Sequence, residues 1–500
     1  MSESNLYKIQ SNPLTPYITL LIVSLLILLS TVAPTIYTTD SPELVTAAKT
    51  LGIPHAPGYP LYILIAHVFT WLPFDDVAYR VNLFSVICLA GSVPLLYGSV
   101  KYLINDKAIA ISTAFIFLFS YYIWTTGIVA EVYAPQLFAL SACALILAKI
   151  YTGDQRLRTL LLLGLLFGLA VALNPSSIFF APGLVIALVL MRIPLRMCIY
   201  AGILSLMVFG LSLLYFPMRE SAAFNAAGEY NAQGMYERVD LHTLSGVWWH
   251  ISGRQFDSFF FADGYIPSVK QWRETLTLFW GNFIGVGLLL GLAGAYRVAR
   301  YERGTGLVIA WLVFFLPYTC FYITYGADDR ETMFGPAYLI WSILIAFGLA
   351  WAADEFSGWV RYAVIFALPL LLFVVNLPLV DVSSDTGFRD HAEAVLQPIP
   401  ENAAVFGYWG DVVPIQFLHI VENQRSDLTL YNLFFFDYDI DKLKPCVDSL
   451  MDAGRPVVFL DTSGYDMLGG SSYNFEVIAT DTSDPQKPEI QSVLIQRIAP

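Results

Sequence analysis

Long apolar runs separated by short polar turns dominate the chain, at about 18–36, 81–100, 108–126, 132–150, 159–173, 177–191, 197–216, 276–298, 305–325, 335–353 and 361–379. A bilayer core of roughly 30 Å takes about 20 apolar helical residues, and a backbone crossing lipid must satisfy its own hydrogen bonds, which helices do. The pattern therefore predicts a mainly α, polytopic helical membrane bundle of about eleven transmembrane helices. The two shortest runs are separated by Asn174-Pro175-Ser176-Ser177, a turn signal that suits a tight helical hairpin. The first run is too long and too weakly flanked for a cleaved signal peptide and is expected to stay as an anchor.

Segment 60–73 is apolar but short and has Pro at both ends. Counting it as a span would invert every later loop, so it reads as a helix lying at the membrane interface. From residue 380 the pattern changes to alternating soluble elements. Helices are expected near 387–396, 411–422 and 441–453, and strands near 403–408, 428–431, 456–460, 474–480 and 489–497. The division is thus a membrane domain over 1–379, with long outer loops 37–80 and 217–275, and a C-terminal soluble α/β domain over 380–500.

Charge sets the orientation. Lys101 and Lys107, then Lys149, Arg156 and Arg158, then Arg192 and Arg196, then Arg297, Arg300 and Arg303 make four basic turns, which the positive-inside bias assigns to the cytoplasm. The intervening turns hold no Lys or Arg except Arg330. The expectation is a multi-pass protein with a cytoplasmic N-terminus and an extracytoplasmic C-terminal domain, in a bacterial inner membrane.

Composition agrees: 57% of the 500 residues are hydrophobic and 13% charged, where a soluble domain has roughly a quarter charged. The net charge of -13, carried largely by the loops and tail, argues against nucleic acid as a partner. Cys88, Cys143, Cys198 and Cys320 fall inside spans and Cys446 stands alone in the tail, so no disulfide framework is implied.

Candidate chemistry collects on the outer side. Just past the first span lie Asp40-Ser41-Pro42-Glu43, followed by His55-Ala56-Pro57-Gly58-Tyr59-Pro60. Asp40 reads as the N-cap of a helix whose first turn holds Pro42 and Glu43. A carboxylate fixed there is also oriented as a general base must be. His55 is either a phosphate donor or a structural histidine. Glu131, with Tyr133, opens the next outer turn, where an ionisable group in an apolar stretch needs a polar cavity. Trp248-Trp249-His250, with Arg254 and Phe259-Phe260-Phe261, forms an aromatic cluster that either binds sugar or makes an interfacial belt. Arg254 and Arg330 are the cations available for a phosphate, although Arg330 also has the acidic neighbours Asp328, Asp329 and Glu331. No zinc spacing, Walker loop or GxSxG elbow occurs. A divalent cation on Asp40, Glu43 and Asp328 or Asp329 is compatible with these residues but not indicated by them.

Asp40-Ser-Pro-Glu43, His55-Ala-Pro-Gly-Tyr-Pro-Leu-Tyr62, Tyr79-Arg-Val-Asn-Leu-Phe-Ser85, Ala130-Glu-Val-Tyr-Ala134 and Trp249-His-Ile-Ser-Gly-Arg-Gln255 together resemble a membrane family long classed as a domain of unknown function. Its animal members are the transmembrane protein 260-like protein O-mannosyltransferases of the GT-C superfamily. The resemblance implies a GT-C bundle, a catalytic carboxylate in the first outer loop, a polyprenyl-phosphate-linked sugar as donor and an outer soluble domain. It places the acidic motif on Asp40 and Glu43, the Pro-rich turn on His55 to Pro60, and the Glu-Val-Tyr turn on Glu131 to Tyr133. The family often has Asn-His where this chain has Asn174-Pro175, which removes one imidazole from the outer face.

With that resemblance the expected function is a membrane glycosyltransferase acting on a polyprenyl-phosphate sugar, with mannose favoured, and on an acceptor protein or glycan. Asp40 and Glu43 are catalytic, and His55, Arg254 and Arg330 handle donor phosphate. Tyr59, Glu131, Tyr133, Trp249 and His250 contact substrate. A transporter or flippase of lipid-linked glycans shares the outline, but the spans hold almost no charge for coupling ions and no paired broken helices. A non-catalytic scaffold leaves the outer carboxylates without a task.

Overall fold

The computed structural model describes residues 13–38, 40–231, 233–261, 264–300, 304–327, 330–436, 439–461, 468, 473–481 and 490–497. Asp328 and Asp329 lie outside this set. The chain opens with α1 (Thr15–Leu29), α2 (Ser41–Thr50), α3 (Pro60–Phe69) and α4 (Val77–Ile104). Next come α5 (Lys107–Phe119), α6 (Tyr121–Thr126), α7 (Tyr133–Tyr151), α8 (Leu157–Leu173), α9 (Ala181–Leu190), α10 (Leu195–Ser212) and α11 (Tyr215–Arg219). Each of the first apolar runs thus falls on a helix or a helix pair. Segment 60–73 is the ten-residue α3, which is too short to span.

Two expected spans are interrupted. The 108–126 run breaks at Ser120, whose extended ψ of 138° separates α5 from α6, and Asn376 Nδ2 donates to the Phe119 carbonyl left at the break (2.7 Å). The span expected at 276–298 is instead α13 (Val269–Asn282) and α14 (Val286–Arg300), bent by 104°. Ile284 and Gly285 turn the chain with φ of 50° and 62°, and Asn282 Oδ1 accepts from the Tyr122 backbone N–H (3.0 Å). The polar start of α13, Gln271 to Glu274, is what a bilayer core would reject.

The bundle is completed by α15 (Gly304–Ile323), α16 (Arg330–Met333), α17 (Gly335–Asp354) and α18 (Gly358–Val380), after α12 (Leu244–Ile251) in the long 217–275 loop. Among the described residues five helices are long and apolar enough to cross a membrane, or six with the bent pair counted as one. The other apolar helices run to 10–17 residues, so the count of eleven is not established by length. The Leu195–Arg219 stretch has only 6% of its apolar window buried by protein, as a lipid-facing helix would. Helices α8 and α10 meet through Gly164 and Gly168, where a Cβ would come 2.2 Å from the Ala201 carbonyl and 2.7 Å from that of Ser205. This is the small-xxx-small contact of membrane helices.

A short antiparallel hairpin, β1 (Gly228–Tyr230) and β2 (Tyr236–Arg238), lies in the 217–275 loop. The tail forms α19 (Gly387–Leu396), β3 (Ala404–Gly407), α20 (Trp409–Val421), β4 (Thr429–Asn432), α21 (Ile440–Asp452), β5 (Val457–Phe459), β6 (Tyr473–Asp481) and β7 (Ile490–Arg497). Their order β4-β3-β5-β7-β6 gives a sheet that is parallel over its first three strands and antiparallel beyond. Every tail element expected from the sequence is present within a few residues.

Polar anchors tie the 37–80 loop to both regions. Asn82 Nδ2 donates to the carbonyls of Ala33 (2.9 Å) and Thr35 (3.2 Å). Asp76 caps α4, accepting from Ala78 N (2.6 Å), and also accepts from Thr35 Oγ1 (2.6 Å) and from Arg389 of α19 (2.9 Å). Arg389 simultaneously engages Glu422 (2.7 Å). Helix α20 packs along α2, which brings the tail against the Asp40 loop.

Candidate active site

Helix α2 starts with Ser41-Pro42-Glu43, in which Pro suits the first turn and Glu the positive end of the dipole. Its C-terminal carbonyls are closed by Arg219, which donates to Leu51 O (2.7 Å) and Thr50 O (3.0 Å). The chain then turns at Gly52, where any Cβ would sit 2.6 Å from the Phe224 carbonyl. It pairs through Ile53 with the 224–226 segment (3.0 and 2.8 Å). Gly58, with φ of 81°, closes a turn back onto the His55 carbonyl (2.8 Å). These constraints aim His55 back at the helix start.

The expected capping role of Asp40 is not realised. Asp40 stands at the N-cap position, but its backbone is helical and its side chain makes no cap bond. The carboxylate turns outward instead, with Oδ1 accepting from Trp409 Nε1 (3.1 Å) and Oδ2 lying 3.6 Å from His55 Nε2. Glu43 is buried, its Oε1 accepting from the His55 backbone N–H (2.8 Å) and its Oε2 hydrogen-bonded to His55 Nδ1. His55 therefore lies between two carboxylates, with Tyr59, Phe256 and Trp409 edge-on around its ring at 5.2–5.7 Å.

This packing sets the charges. Burial alone would push the His55 imidazole down, but Glu43 and Asp40, with Glu131 behind them, outweigh it and bring the group up to about 9. The same burial raises the Asp40 carboxyl above its usual range, opposed by His55 and reinforced by Glu43. Asp40 nevertheless keeps 23% of its side chain open, against 2% for Glu43, so it is the carboxylate a substrate can reach.

The ligand atoms of Asp40, Glu43 and His55 lie within 4.8 Å of one another, a spacing at which a metal ion can be held. In the arrangement observed, His55 uses one ring nitrogen on Glu43 and directs the other at Asp40. An imidazolium in that position supplies the positive charge that a cation would bring.

Other expected site residues divide. Tyr59 borders His55, and Glu131 lies at the mouth of α7, where its backbone N–H donates to Ser85 Oγ (3.3 Å). Tyr133 is buried at the start of that helix. His250, expected to contact substrate, is fully buried under the turn: a Cβ at Gly58 would come 2.6 Å from its Nε2. Burial, with the nearby charge of His55, pushes the imidazole down to about 3, so it supports the loop as a neutral ring. Trp249 lies half-buried beside it, and Arg254 is exposed at the start of the Arg254–Phe256 turn. Arg330 pairs with Glu274 of α13 (2.7 Å) and reaches the Tyr325 carbonyl (3.2 Å).

Two residues at the centre were not singled out from the sequence. Gln255, rather than Arg254, points inward, accepting from Ala56 N (3.0 Å) and donating to the carbonyls of Ala226 (2.8 Å) and Gly228 (3.0 Å). It closes the Trp249–Gln255 motif, which was the available signal. Trp409 comes from the tail, 369 residues from Asp40, and no local pattern marks it.

The whole described bundle, with its sheet region, superposes on ArnT from Cupriavidus metallidurans bound to undecaprenyl phosphate, with a TM-score of 0.61 over 97% of this chain and 98% of that one at 11% identity. The archaeal oligosaccharyltransferase AglB from Archaeoglobus fulgidus, in complex with an inhibitory peptide and a dolichol-phosphate, gives 0.58 over 91% and 71% at 12% identity. Residues 40–196 match the family model described as the Protein O-mannosyl-transferase TMEM260 N-terminal domain. The chain shares the fold of ArnT and AglB, and its residues 40–196 resemble a TMEM260 N-terminal domain.

That TMEM260-type region begins at Asp40 and contains Glu43, His55, Tyr59, Glu131 and Tyr133. The mouse Protein O-mannosyl-transferase TMEM260 is 25% identical over 433 residues, 80% of this chain. The Dictyostelium discoideum protein of the same name is 29% identical over 132 residues, 26% of this chain and 16% of its own length. The chain spans about 60% of the mouse relative's length. Apolar helices and membrane relatives make it a multi-pass membrane protein. Both named TMEM260 relatives are eukaryotic and lend nothing to the expected bacterial inner membrane.

Proposed function

We propose that the protein is an inverting membrane glycosyltransferase that moves a hexose, mannose favoured, from a polyprenyl-phosphate donor to a hydroxyl of an acceptor, Ser or Thr of a protein. The reaction takes place on the extracytoplasmic face of a bundle crossed about eleven times, with the soluble domain beginning near residue 380. The observation that carries this reading is the open Asp40 carboxylate, released from capping, steadied by Trp409 and faced by His55. The names of the TMEM260 relatives, and the undecaprenyl phosphate and dolichol-phosphate bound to ArnT and AglB, support the activity and the donor class.

In this mechanism Asp40 takes the proton from the acceptor hydroxyl as its oxygen bonds to the anomeric carbon. The bond from that carbon to the phosphate oxygen breaks, and polyprenyl phosphate leaves with the electron pair. Its raised basicity makes Asp40 a better base than an ordinary carboxylate. Phosphate needs little acid assistance but does need its charge met in a site of low dielectric. The His55 imidazolium is the built-in positive charge, and Arg330, beside Tyr325, is the next candidate. Glu43 holds His55 charged and oriented.

The test is transfer from radiolabelled polyprenyl-phosphate sugars by the reconstituted chain. Asp40→Asn is expected to lower turnover on the order of a thousandfold, the scale of a lost general base, with expression and membrane insertion unchanged. Near-normal turnover would remove Asp40 from the role.

A further inference from the structure

Beside the carboxylates lies a cavity of about 390 Å³, walled on one side by the 223–226 segment and the β1–β2 hairpin, and on the other by α20 and β4 of the tail. Glu43 and Trp409 line it, so it adjoins the candidate chemistry directly. The remaining polar wall comes from the amides of Asn225, Gln416 and Asn432, with Arg238, His419 and Thr429, set among aromatic rings.

Strand β4 is the edge of its sheet, and β3 is its partner. Thr429 N donates to the Ala403 carbonyl (3.1 Å), which turns Thr429 and Tyr431 toward β3. Backbone groups alternate in a parallel ladder, so the N–H and C=O of Leu430 face the open edge. Thr429, Leu430 and Asn432 are themselves part of the cavity wall. An edge strand offering unpaired backbone groups is a template for a further strand.

We propose that this cavity is the acceptor subsite, and that it takes an extended polypeptide segment which adds to the edge of β4 and brings its hydroxyl side chain to Asp40. The proposal rests on the transferase reading and assigns the tail its part in it. Main-chain pairing to β4 supplies affinity with little dependence on sequence, and the amides of Gln416 and Asn432 pair with backbone groups beyond the strand. Trp409 lies between the two functions: its indole N–H holds Asp40, and its ring forms part of the wall the acceptor meets.

The test is binding of a short, fluorescent, Thr-containing extended peptide to the full detergent-solubilised chain, measured by anisotropy and followed by acceptor kinetics. The unmodified chain and Asp40→Asn are expected to bind it equally. Leu430→Pro, which removes the outward N–H, and Gln416→Ala are each expected to weaken binding and raise acceptor KM on the order of tenfold, with donor KM unchanged. The same peptide N-methylated at alternate backbone nitrogens should lose affinity for the unmodified chain, a readout independent of any variant's folding. Equal affinity for both peptides, or transfer to a simple alcohol without peptide binding, overturns the proposal while leaving the transferase reading standing. Peptide binding as expected with no transfer from any donor would instead sink the transferase reading.

Discussion

The role proposed for Asp40 depends on which hydrogen bonds its carboxylate does not make. A capping bond would tie it to α2; the observed bond to Trp409 Nε1 leaves Oδ2 open toward His55. Trp409→Phe keeps the ring but removes the donor. A hydrogen bond to a charged group contributes about 1.5–3 kcal/mol, so kcat is expected to fall on the order of tenfold or more with donor KM unchanged. An unaltered kcat would show the indole N–H to be idle. His55 adds a pH signature. Its pKa is raised from the ordinary value of roughly 6.5 to about 9, so its stabilising charge is fully present below the ordinary value and is lost as pH rises through about 9. Asp40, also raised, must lose its proton to act, which sets an acid limb above the usual carboxylate range. The rate profile should therefore be bell-shaped. His55→Gln should lower the rate and abolish the alkaline limb, and a limb that persists in the variant belongs to another group.

At the scale of elements, helix-to-helix contact in the bundle relies on missing side chains. Gly164 and Gly168 let α8 approach the α10 backbone, and Gly294 and Gly348 do the same for α14 and α17, where an added Cβ would lie about 2 Å from a carbonyl oxygen. Apolar side chains gain little by leaving lipid, so close backbone packing provides the association. Gly164→Ile is expected to force α8 and α10 apart, at a cost of about 1–3 kcal/mol for overpacking, and to lower the detergent melting temperature. Gly202→Ile, where an added Cβ meets nothing within 4 Å, is the control. Equal melting of both variants would show that the α8–α10 contact contributes little.

For the whole molecule, the sheet region and the first outer loop must lie on one side of the membrane, because Trp409 bonds Asp40 and Arg389 bonds Asp76. The positive-inside bias expects the basic turns on the other. In a cysteine-free background, a membrane-impermeant maleimide applied to intact cells should label Tyr265→Cys, whose native side is 83% exposed in the 217–275 loop, and spare Arg156→Cys in a basic turn. The reverse pattern would invert the orientation and with it the side proposed for transfer.

The sequence by itself determined whatever depends on neighbours a few residues apart. Long apolar runs marked the bundle helices, alternating soluble helices and strands marked the α/β tail, and the first-loop motif placed Asp40, Glu43 and His55 together, because Pro and Gly restrict that loop locally. Tertiary structure decided what joins distant segments: Trp409 on Asp40, Gln255 on the 56 and 226–228 backbone, and Arg330 on Glu274. It also decided that Asp40 does not cap its helix, that His250 lies beneath the loop, and that the 276–298 span is bent. A hydrogen bond across hundreds of residues leaves no spacing to read. A lone Asp before a helix has the same sequence pattern whether its carboxylate turns inward to cap or outward to react.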